Sequence, residues 1–247
     1  TPSFESMFRK NDGKPKYDDP PPVLKIELTK NLRKYSAKIA DIVEHVLRNP
    51  KFVTFIFCEN VAGVGGVYSV GACLKAHGLH WNTGAKSLAG KSATTRQFIV
   101  FTSTRSKYCI SSDTEIVAFL KLHNRPKNKF GEYSQVIIGS EKVLLGLDIK
   151  SVRKVHVMAP HWNDSAIKQV EARAIRLGSL DAFEDPKDRR VEVYLHVGVK
   201  GTTSEKKSVS LKLAPEGEYF SAEPERKILA NQEAGDGKLP VDLYVLG

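Results

Sequence analysis

Short apolar runs that alternate with helical patterns constrain the fold of this chain more than any other feature. Residues 136–138 form one such run, and its length and the glycine that follows it predict a buried strand. A second run covers residues 152–158, is stopped by Pro160, and is followed by a helical pattern with a capping residue in Asn163 or Asp164. We therefore expect an α/β fold, with a mostly parallel sheet covered by helices on both faces.

The first half of the chain has the same order of elements. Apolar residues recur at helical spacing over residues 32–47, and Asn49 with Pro50 ends that predicted helix. Residues 52–57 and 98–101 are further short apolar runs and are predicted to be buried strands. The polar sequence HGLHWNTG between these two strands predicts a loop.

Composition divides the chain into three parts. Residues 1–30 contain KNDGKPKYDDPPP, which predicts a linker or extended lead-in with few ordered contacts before Val23. Residues 31–199 carry the alternating elements and predict one α/β domain. Residues 200–247 are polar and poorly patterned, and their last residues look like the start of a truncated element.

The net charge indicates which class of partner the protein binds, and the cysteines indicate which compartment it occupies. The net charge of +10 favours a polyanion, and nucleic acid before membrane, because no basic amphipathic helix is present. Cys58, Cys73 and Cys109 are isolated, odd in number and outside any metal-ligand spacing, which favours a reducing compartment and predicts no metal site. The sequence has no signal peptide and no apolar run that could span a bilayer, so we expect no membrane partner.

Three polar residues share one face of the helix predicted after residue 160. Gln169, Arg173 and Arg176 follow each other at positions i, i+4 and i+7. Two guanidinium groups on a helix behind a buried strand suit the binding of a phosphate. A solvated helix face with two arginines is the more common outcome of this spacing, so the spacing alone leaves both interpretations open.

Two glycine-containing stretches have spacings that phosphate-binding loops also use. Residues 58–78 form a glycine-rich turn that enters a helix, and either phosphate binding or close packing of the helix on the sheet explains the glycines. The sequence AKSLAGKS, residues 85–92, matches a relaxed phosphate-loop pattern. We reject it as a nucleotide site, because no buried strand precedes it and a strand, not a helix, follows it.

Two polar loops are candidates for contacts with nucleic acid. The loop TSTRSK begins at Thr102 and follows a predicted strand, at the carboxyl end where open α/β sheets bind ligands. The loop RPKNKFGEY is basic and contains Phe130 and Tyr133, which could stack on bases. For this second loop we favour slightly the alternative of a solvated surface.

The order of two motifs around a strand leads to a resemblance. VIIGSEKVLLGLD resembles motif V of superfamily 2 helicases and translocases, and QVEARAIR resembles their motif VI, Q-x-x-G-R-x-x-R. The likeness extends through NRPKNKFGEYSQVIIGS and NLRKYSAKI and covers residues 31–199. The chain is most similar to helicase-like ATPases of poxviruses and other large cytoplasmic DNA viruses, which are themselves similar to the Snf2 group.

This resemblance implies the C-terminal RecA-like lobe of a two-lobed motor. In such motors ATP with Mg²⁺ binds between the lobes, and the N-terminal lobe holds the phosphate loop and the magnesium-binding carboxylates. By similarity, Arg173 and Arg176 reach the ATP phosphates, with Arg176 as the arginine finger, and Gln169 orders the γ-phosphate or the attacking water. Ala172 in place of the usual glycine, and Leu145 where a charged residue is common, depart from the family pattern.

The resemblance also implies the remaining site residues. Gly146 and Asp148 are expected beside the nucleotide ribose, which they would couple to Ser140 on the nucleic-acid backbone. The loop around Glu59 and Asn60 corresponds to motif IV and is expected to face the nucleic-acid strand.

The implied function is that of one half of an ATP-dependent helicase or translocase, and the family likeness implies a role in viral transcription. The implied partners are DNA or RNA, the N-terminal lobe and viral transcription proteins, and the implied location is the viral factory in the host cytoplasm or the virion. Without a phosphate loop the lobe alone is expected to be inactive. The alternative is a non-catalytic RecA-like scaffold that binds nucleic acid or protein.

Overall fold

The chain folds around one six-stranded parallel sheet. The structure is a computed structural model and describes residues 8, 17, 22–63, 65–84, 96–103, 106–140, 147–158 and 178–197. The helices are α1 Pro22–Lys30, α2 Leu32–Tyr35, α3 Ala37–Arg48, α4 Val67–Ala76 and α5 Asp113–His123, with 3₁₀ turns at Pro126–Asn128 and Pro186–Asp188. The strands are β1 Val53–Phe57, β2 His80–Asn82, β3 Gln97–Phe101, β4 Val136–Gly139, β5 Val152–Val157 and β6 Glu192–Leu195.

The order of the strands across the sheet is β2-β3-β4-β1-β5-β6, and all of the pairs are parallel. Parallel strands require crossover connections, and within the described residues α4 connects β1 to β2 and α5 connects β3 to β4. Strands β1, β3, β4 and β5 are buried along their whole length, as expected for strands covered on both sides. This arrangement confirms the predicted RecA-like α/β class.

Side chains of alternate residues in the buried strands pack into two separate hydrophobic cores, one on each face of the sheet. Ile56, Val100 and Ile138 point to the face that is covered by α1 to α4. Phe55 and Ile99 point to the opposite face, which α5 covers with Phe119 among other residues. The two-residue period of the strands therefore explains why helices pack on both sides of the sheet.

Some residues of the segment predicted to be a linker or extended lead-in are buried in the core. α1 begins at Pro22, a residue whose fixed φ suits the first turn of a helix, and buries Leu24 and Leu28 one turn apart. Phe8 and Tyr17 are also buried in the core beneath α1 to α4. These four buried residues reach the same core, whereas Val23 and Ile26 of α1 are exposed.

The helix predicted over residues 32–47 is divided in two. Ser36 has an extended backbone with φ of −151°, and its side chain accepts a hydrogen bond from the backbone N–H of Ile39. A serine that caps the following helix competes with continuation of the preceding one. The sequence HGLHWNTG, predicted to be a loop, contains the short edge strand β2, because Trp81 and Asn82 pair with Phe98 and Ile99.

Two negative findings apply to the described part of the chain. No helix there has both the length and the apolar character that a bilayer-spanning segment needs. No group of three or more His, Cys, Asp or Glu in the same residues could hold a metal ion.

Candidate functional site at the carboxyl edge of the sheet

The register of the strands brings their carboxyl ends into one row. Phe57 at the end of β1 pairs with Gly139 of β4 and with Val157 of β5. Gly139 also pairs with Phe101 of β3, and Val157 pairs with Leu195 of β6. The loops that follow these strands therefore leave the sheet along a single edge, which is where open parallel sheets bind their ligands. We call this row the carboxyl edge.

The segments that resemble motifs V and VI leave from the two strands that flank β1. The motif V segment follows β4 at Ser140, and the motif VI segment follows β5 at Met158. Residues 141–146 and 159–177 lie outside the described residues. Four predicted site residues fall within these two segments and are therefore not placed: Gly146, Gln169, Arg173 and Arg176.

Glu59 and Asn60 lie in the middle of the carboxyl edge, directly after β1. Both side chains are exposed. The carbonyl oxygen of Asn60 accepts a hydrogen bond from the backbone N–H of Val67 at 3.0 Å, which fixes the loop against the start of α4. A carboxylate and a carboxamide are thus presented to solvent at the position that the sequence predicts for a nucleic-acid contact.

Ser140 and Thr102 also lie in this row, but their side chains are buried. Ser140 is 3% exposed, and its backbone N–H donates to the carbonyl oxygen of Phe101 at 3.4 Å. Thr102 is fully buried, and its hydroxyl donates to the thiol of Cys109 at 3.1 Å. The hydroxyl of Thr102 therefore points into the protein, and its contact with nucleic acid stays a prediction.

Asp148 lies away from the carboxyl edge. Its carbonyl oxygen accepts a hydrogen bond from the side chain of Asn124, which follows α5, at 2.8 Å. The same Asn124 side chain accepts from the backbone N–H of Lys150, just before β5 begins. Asp148 is thus placed toward the amino ends of the strands, and the structure does not bring it together with Ser140 or Glu59.

Lys38 is a residue of this edge that the motifs do not reveal. It lies in the first turn of α3, and its ammonium group donates to the carbonyl oxygen of Met158 at 3.3 Å. A helix that precedes a parallel strand begins at the carboxyl edge, so the position of α3 before β1 is the signal that could have identified it. Lys38 places a cation where the chain leaves β5 for the motif VI segment.

The glycine-rich turn before α4 is explained by packing. A β-carbon on Gly66 would lie 2.6 Å from the carbonyl oxygens of Val61 and Ala62. A β-carbon on Gly71, in the middle of α4, would lie 2.9 Å from the ring of Trp81. Of the two interpretations left open by the sequence, close packing of the helix and its turn therefore accounts for both glycines.

The basic loop RPKNKFGEY lies at the other end of the sheet. It contains the 3₁₀ turn Pro126–Asn128 and leads into the amino end of β4. The side-chain oxygen of Asn128 accepts hydrogen bonds from the backbone N–H groups of Tyr133 at 2.7 Å and Ser134 at 3.3 Å. This loop is consequently remote from the carboxyl edge.

A histidine pair borders the carboxyl edge between α3 and the strands β5 and β6. Nδ1 of His156 and Nε2 of His196 are 2.8 Å apart and share one hydrogen bond. Burial, with added repulsion from His196 and His45, holds the pKa of His156 well below its usual range. Burial likewise lowers the pKa of His196 to about 4, although Asp41 opposes the shift. These imidazoles are uncharged at neutral pH, so a phosphate at this edge would need lysine or arginine as its cation.

Comparison with known proteins identifies viral relatives. No protein-family model matches the chain. It is 30% identical over 193 residues to "Putative helicase 087L" of Invertebrate iridescent virus 3, an alignment that covers 77% of this chain and 19% of that protein. It is 38% identical over 79 residues to "Termination factor NPH-I homolog" of African swine fever virus, covering 32% of this chain and 11% of the viral protein.

These relatives confirm the resemblance to helicase-like ATPases of large DNA viruses. The chain spans about a fifth of the length of the iridescent virus protein. Among solved structures, the C-terminal part of the Fun30 ATPase domain aligns with 76% of this chain and 43% of its own, at 15% identity and a TM-score of 0.35. A TM-score this low adds nothing to the fold assignment, which follows from the sheet itself.

Proposed function

We propose that this chain is the second lobe of an ATP-dependent nucleic-acid helicase or translocase. One observation carries the proposal: β4, β1 and β5 end in one row, so the segments that resemble motifs V and VI start on either side of the motif IV loop. All three motifs of a second RecA-like lobe would then face the same cleft. The viral relatives described as helicases support the same assignment.

The proposed chemistry depends on the arginines of the motif VI segment. Arg176 acts as the arginine finger that stabilises the charge of the transferring phosphoryl group, an effect of about 10³ to 10⁵ in rate. Arg173 binds the phosphates as a planar fork, and Gln169 orients the attacking water. Gly146 and Asp148 are proposed to lie by the ribose, for Asp148 after a rearrangement of the segment before β5.

ATP and Mg²⁺ are proposed to be held mainly by an N-terminal lobe. When bound, ATP supplies the phosphoryl group, and this chain contributes the two arginines and the glutamine of the motif VI segment that face it. An ATP site shared in this way requires that the two lobes close on each other.

Nucleic acid is proposed to run along the carboxyl edge. Glu59 and Asn60 are exposed there, and the backbone at Ser140 lies in the same row. The net charge of +10 supports a polyanionic partner. By likeness to viral helicases and to an NPH-I homologue, we propose action with the viral transcription machinery, in the host cytoplasm or in the virion.

The decisive experiment is Arg176→Ala in the full-length protein. We expect kcat for ATP hydrolysis to fall by about 10³ or more, with little change in KM or in thermal unfolding. Arg125→Ala is the matched control, because this exposed arginine lies at the opposite end of the sheet and its loss should leave kcat unchanged. An unchanged kcat for Arg176→Ala would remove this residue from the role of arginine finger.

The chain by itself should hydrolyse no ATP. Turnover by the purified 247-residue chain, above that of an Arg176→Ala preparation, would contradict the half-site assignment. If the full-length protein also lacks ATPase activity but binds nucleic acid, the non-catalytic scaffold is the correct alternative.

A further inference from the structure

Two aromatic residues from the start of the chain are buried on a platform of other aromatic rings. Phe8 and Tyr17 are 4% and 6% exposed, and their ring centroids are 5.3 Å apart. The ring of Tyr17 lies 5.4 Å from Tyr68 of α4 and 5.6 Å from Tyr108, the latter in an edge-on arrangement at 86°. Pairs in this range of distances and angles stabilise beyond the burial of their area. We call Tyr68 and Tyr108 the tyrosine platform.

One half of this platform belongs to the loop that follows β3 at the carboxyl edge. The hydroxyl oxygen of Tyr108 accepts a hydrogen bond from the backbone N–H of Tyr17 at 3.4 Å. The carbonyl oxygen of Tyr108 accepts from the indole N–H of Trp81 at 2.9 Å. The ammonium group of Lys107 lies 4.8 Å from the centre of the Tyr108 ring. Tyr108 thus joins the start of the chain to a lysine of the loop.

The other half of the platform is tied to the same loop. The hydroxyl of Tyr68 donates to the thiol of Cys109 at 3.6 Å, and Thr102 donates to that thiol at 3.1 Å. The backbone holds the loop through the N–H of Ile110, which donates to the carbonyl oxygen of Val100 at 2.9 Å. The side chains of Tyr68 and Tyr108 therefore hold residues 106–110 through hydrogen bonds and ring contacts.

We propose that Phe8 and Tyr17 form a strap that positions the loop after β3. The strap covers the rings of the tyrosine platform, and the Tyr17 backbone fixes the hydroxyl of Tyr108, so the loop and Lys107 keep one arrangement at the carboxyl edge. A displacement of the chain near residue 8 is then transmitted to this loop. Phe8 and Tyr17 are positioning residues, and they act through Tyr108.

The strap does not depend on ATP chemistry, and it can be tested by how well the loop stays ordered without it. If the strap orders the loop, weakening the strap must loosen residues 106–110 while the sheet stays intact. If Phe8 and Tyr17 merely fill space, their loss would free the start of the chain and leave the loop as it is. Amide hydrogen exchange separates these outcomes, because it reports local opening segment by segment.

The test compares Tyr17→Leu with Phe130→Leu in the 247-residue chain. Both remove an aromatic ring and keep an apolar side chain, but Phe130 is 36% exposed and lies at the amino ends of the strands. We expect exchange of residues 106–110 to become about tenfold faster in Tyr17→Leu, the size of effect expected from losing aromatic pairs. β1 and β4 should stay protected, and Phe130→Leu should match the unaltered chain across residues 106–110.

Unchanged exchange of residues 106–110 in Tyr17→Leu would overturn the proposal. If amide exchange of β1 also becomes faster in Tyr17→Leu, Tyr108→Phe is measured instead. This variant keeps the ring and removes only the hydroxyl that accepts a hydrogen bond from the backbone N–H of Tyr17. Faster exchange of residues 106–110 in Tyr108→Phe, with an intact sheet, would then support the strap. Exchange equal to that of the unaltered chain would reject it.

Discussion

His156 and His196 make the seam between α3 and the strands β5 and β6 sensitive to acid. Nδ1 of His196 lies 3.7 Å from the carboxylate of Asp41, and the ring of His45 lies 5.3 Å from that of His156. Lys154 adds a further positive charge on the same side. Nε2 of His156 and Nδ1 of His45 are buried without a hydrogen-bond partner. A second proton on His156 would therefore be repelled by the positive charges of the neighbouring groups. The new N–H at Nε2 would also find no hydrogen-bond acceptor among the described residues.

Stability should fall as the pH drops through the range in which these imidazoles become charged. Their pKa values are lower in the folded chain than in the unfolded chain, so the unfolded state binds more protons. The stabilisation is complete above about pH 6.5 and is lost as pH falls toward about 4, the folded pKa of His196. For His196 alone this is worth about 3 kcal/mol. Burial also lowers the pKa of His123 to about 4, which adds a second acid-sensitive group in the other core.

His156→Leu tests this account through the pH dependence of unfolding. Near pH 8 the variant should be less stable by about 1 kcal/mol, because His196 loses its hydrogen-bond partner. Between pH 7 and 4.5 its free energy of unfolding should fall by less than that of the unaltered chain, because the buried imidazole whose protonation favours the unfolded state is gone. Urea midpoints measured across this range give both quantities.

A control on the same strand is Val155→Ala. It removes buried methyl groups without changing any titration, so its curve should run parallel to that of the unaltered chain. A His156→Leu curve that is also parallel would show that His156 does not contribute to the acid sensitivity.

At the level of elements, α4 is held on the sheet by the absence of a side chain at Gly71. A methyl group there would lie 2.9 Å from the Trp81 ring and 3.1 Å from the Phe98 ring. Gly71→Ala should therefore destabilise the chain by about 1–2 kcal/mol, the cost of overpacking less the gain in helix propensity. Gly84→Ala is the control, because no atom lies within 4 Å of its added carbon. Equal unfolding midpoints for the two variants would contradict this packing.

The elements differ in how well their sequences predict them. β1, β3 and β4 are mostly apolar, with Thr54 and Gln97 as their polar residues, and their strands match the prediction within a residue or two. The break at Ser36 was not predicted, because apolar spacing continues across it and only the capping hydrogen bond interrupts the helix. β2 was missed, because three residues are too few to show a pattern and its pairing depends on β3.

At the scale of the whole molecule, the existence of the carboxyl edge could be predicted, but its side chains could not. Parallel strands joined by helices must end on one side, so the row itself follows from element order, whereas Glu59, Asn60 and Ser140 as its contacts with nucleic acid are implied only by the resemblance. Thr102 turns inward only because Cys109 comes within 3.1 Å of it, and that contact depends on how a later loop folds back. Asp148 lies near α5 through a hydrogen bond across 24 residues, which no local pattern encodes.

The course of the nucleic acid along the molecule can be tested with two charge reversals. Glu59→Lys changes the exposed carboxylate at the carboxyl edge, whereas Glu132→Lys changes a carboxylate in the loop before the amino end of β4. Both raise the net charge by two, so any effect of overall charge is the same. If the strand runs past Glu59, the new lysine adds about one phosphate contact.

Glu59→Lys should therefore bind single-stranded nucleic acid more tightly, with a salt dependence steeper by about 0.7 log units of affinity per log unit of salt. Glu132→Lys should change the affinity only slightly and leave the slope unaltered, because its added charge lies beyond the screening length from the bound strand. Fluorescence anisotropy titrations between about 50 and 200 mM salt measure both slopes. A steeper slope for Glu132→Lys than for Glu59→Lys would place the nucleic acid at the amino ends of the strands and would remove the carboxyl edge from the proposed binding surface.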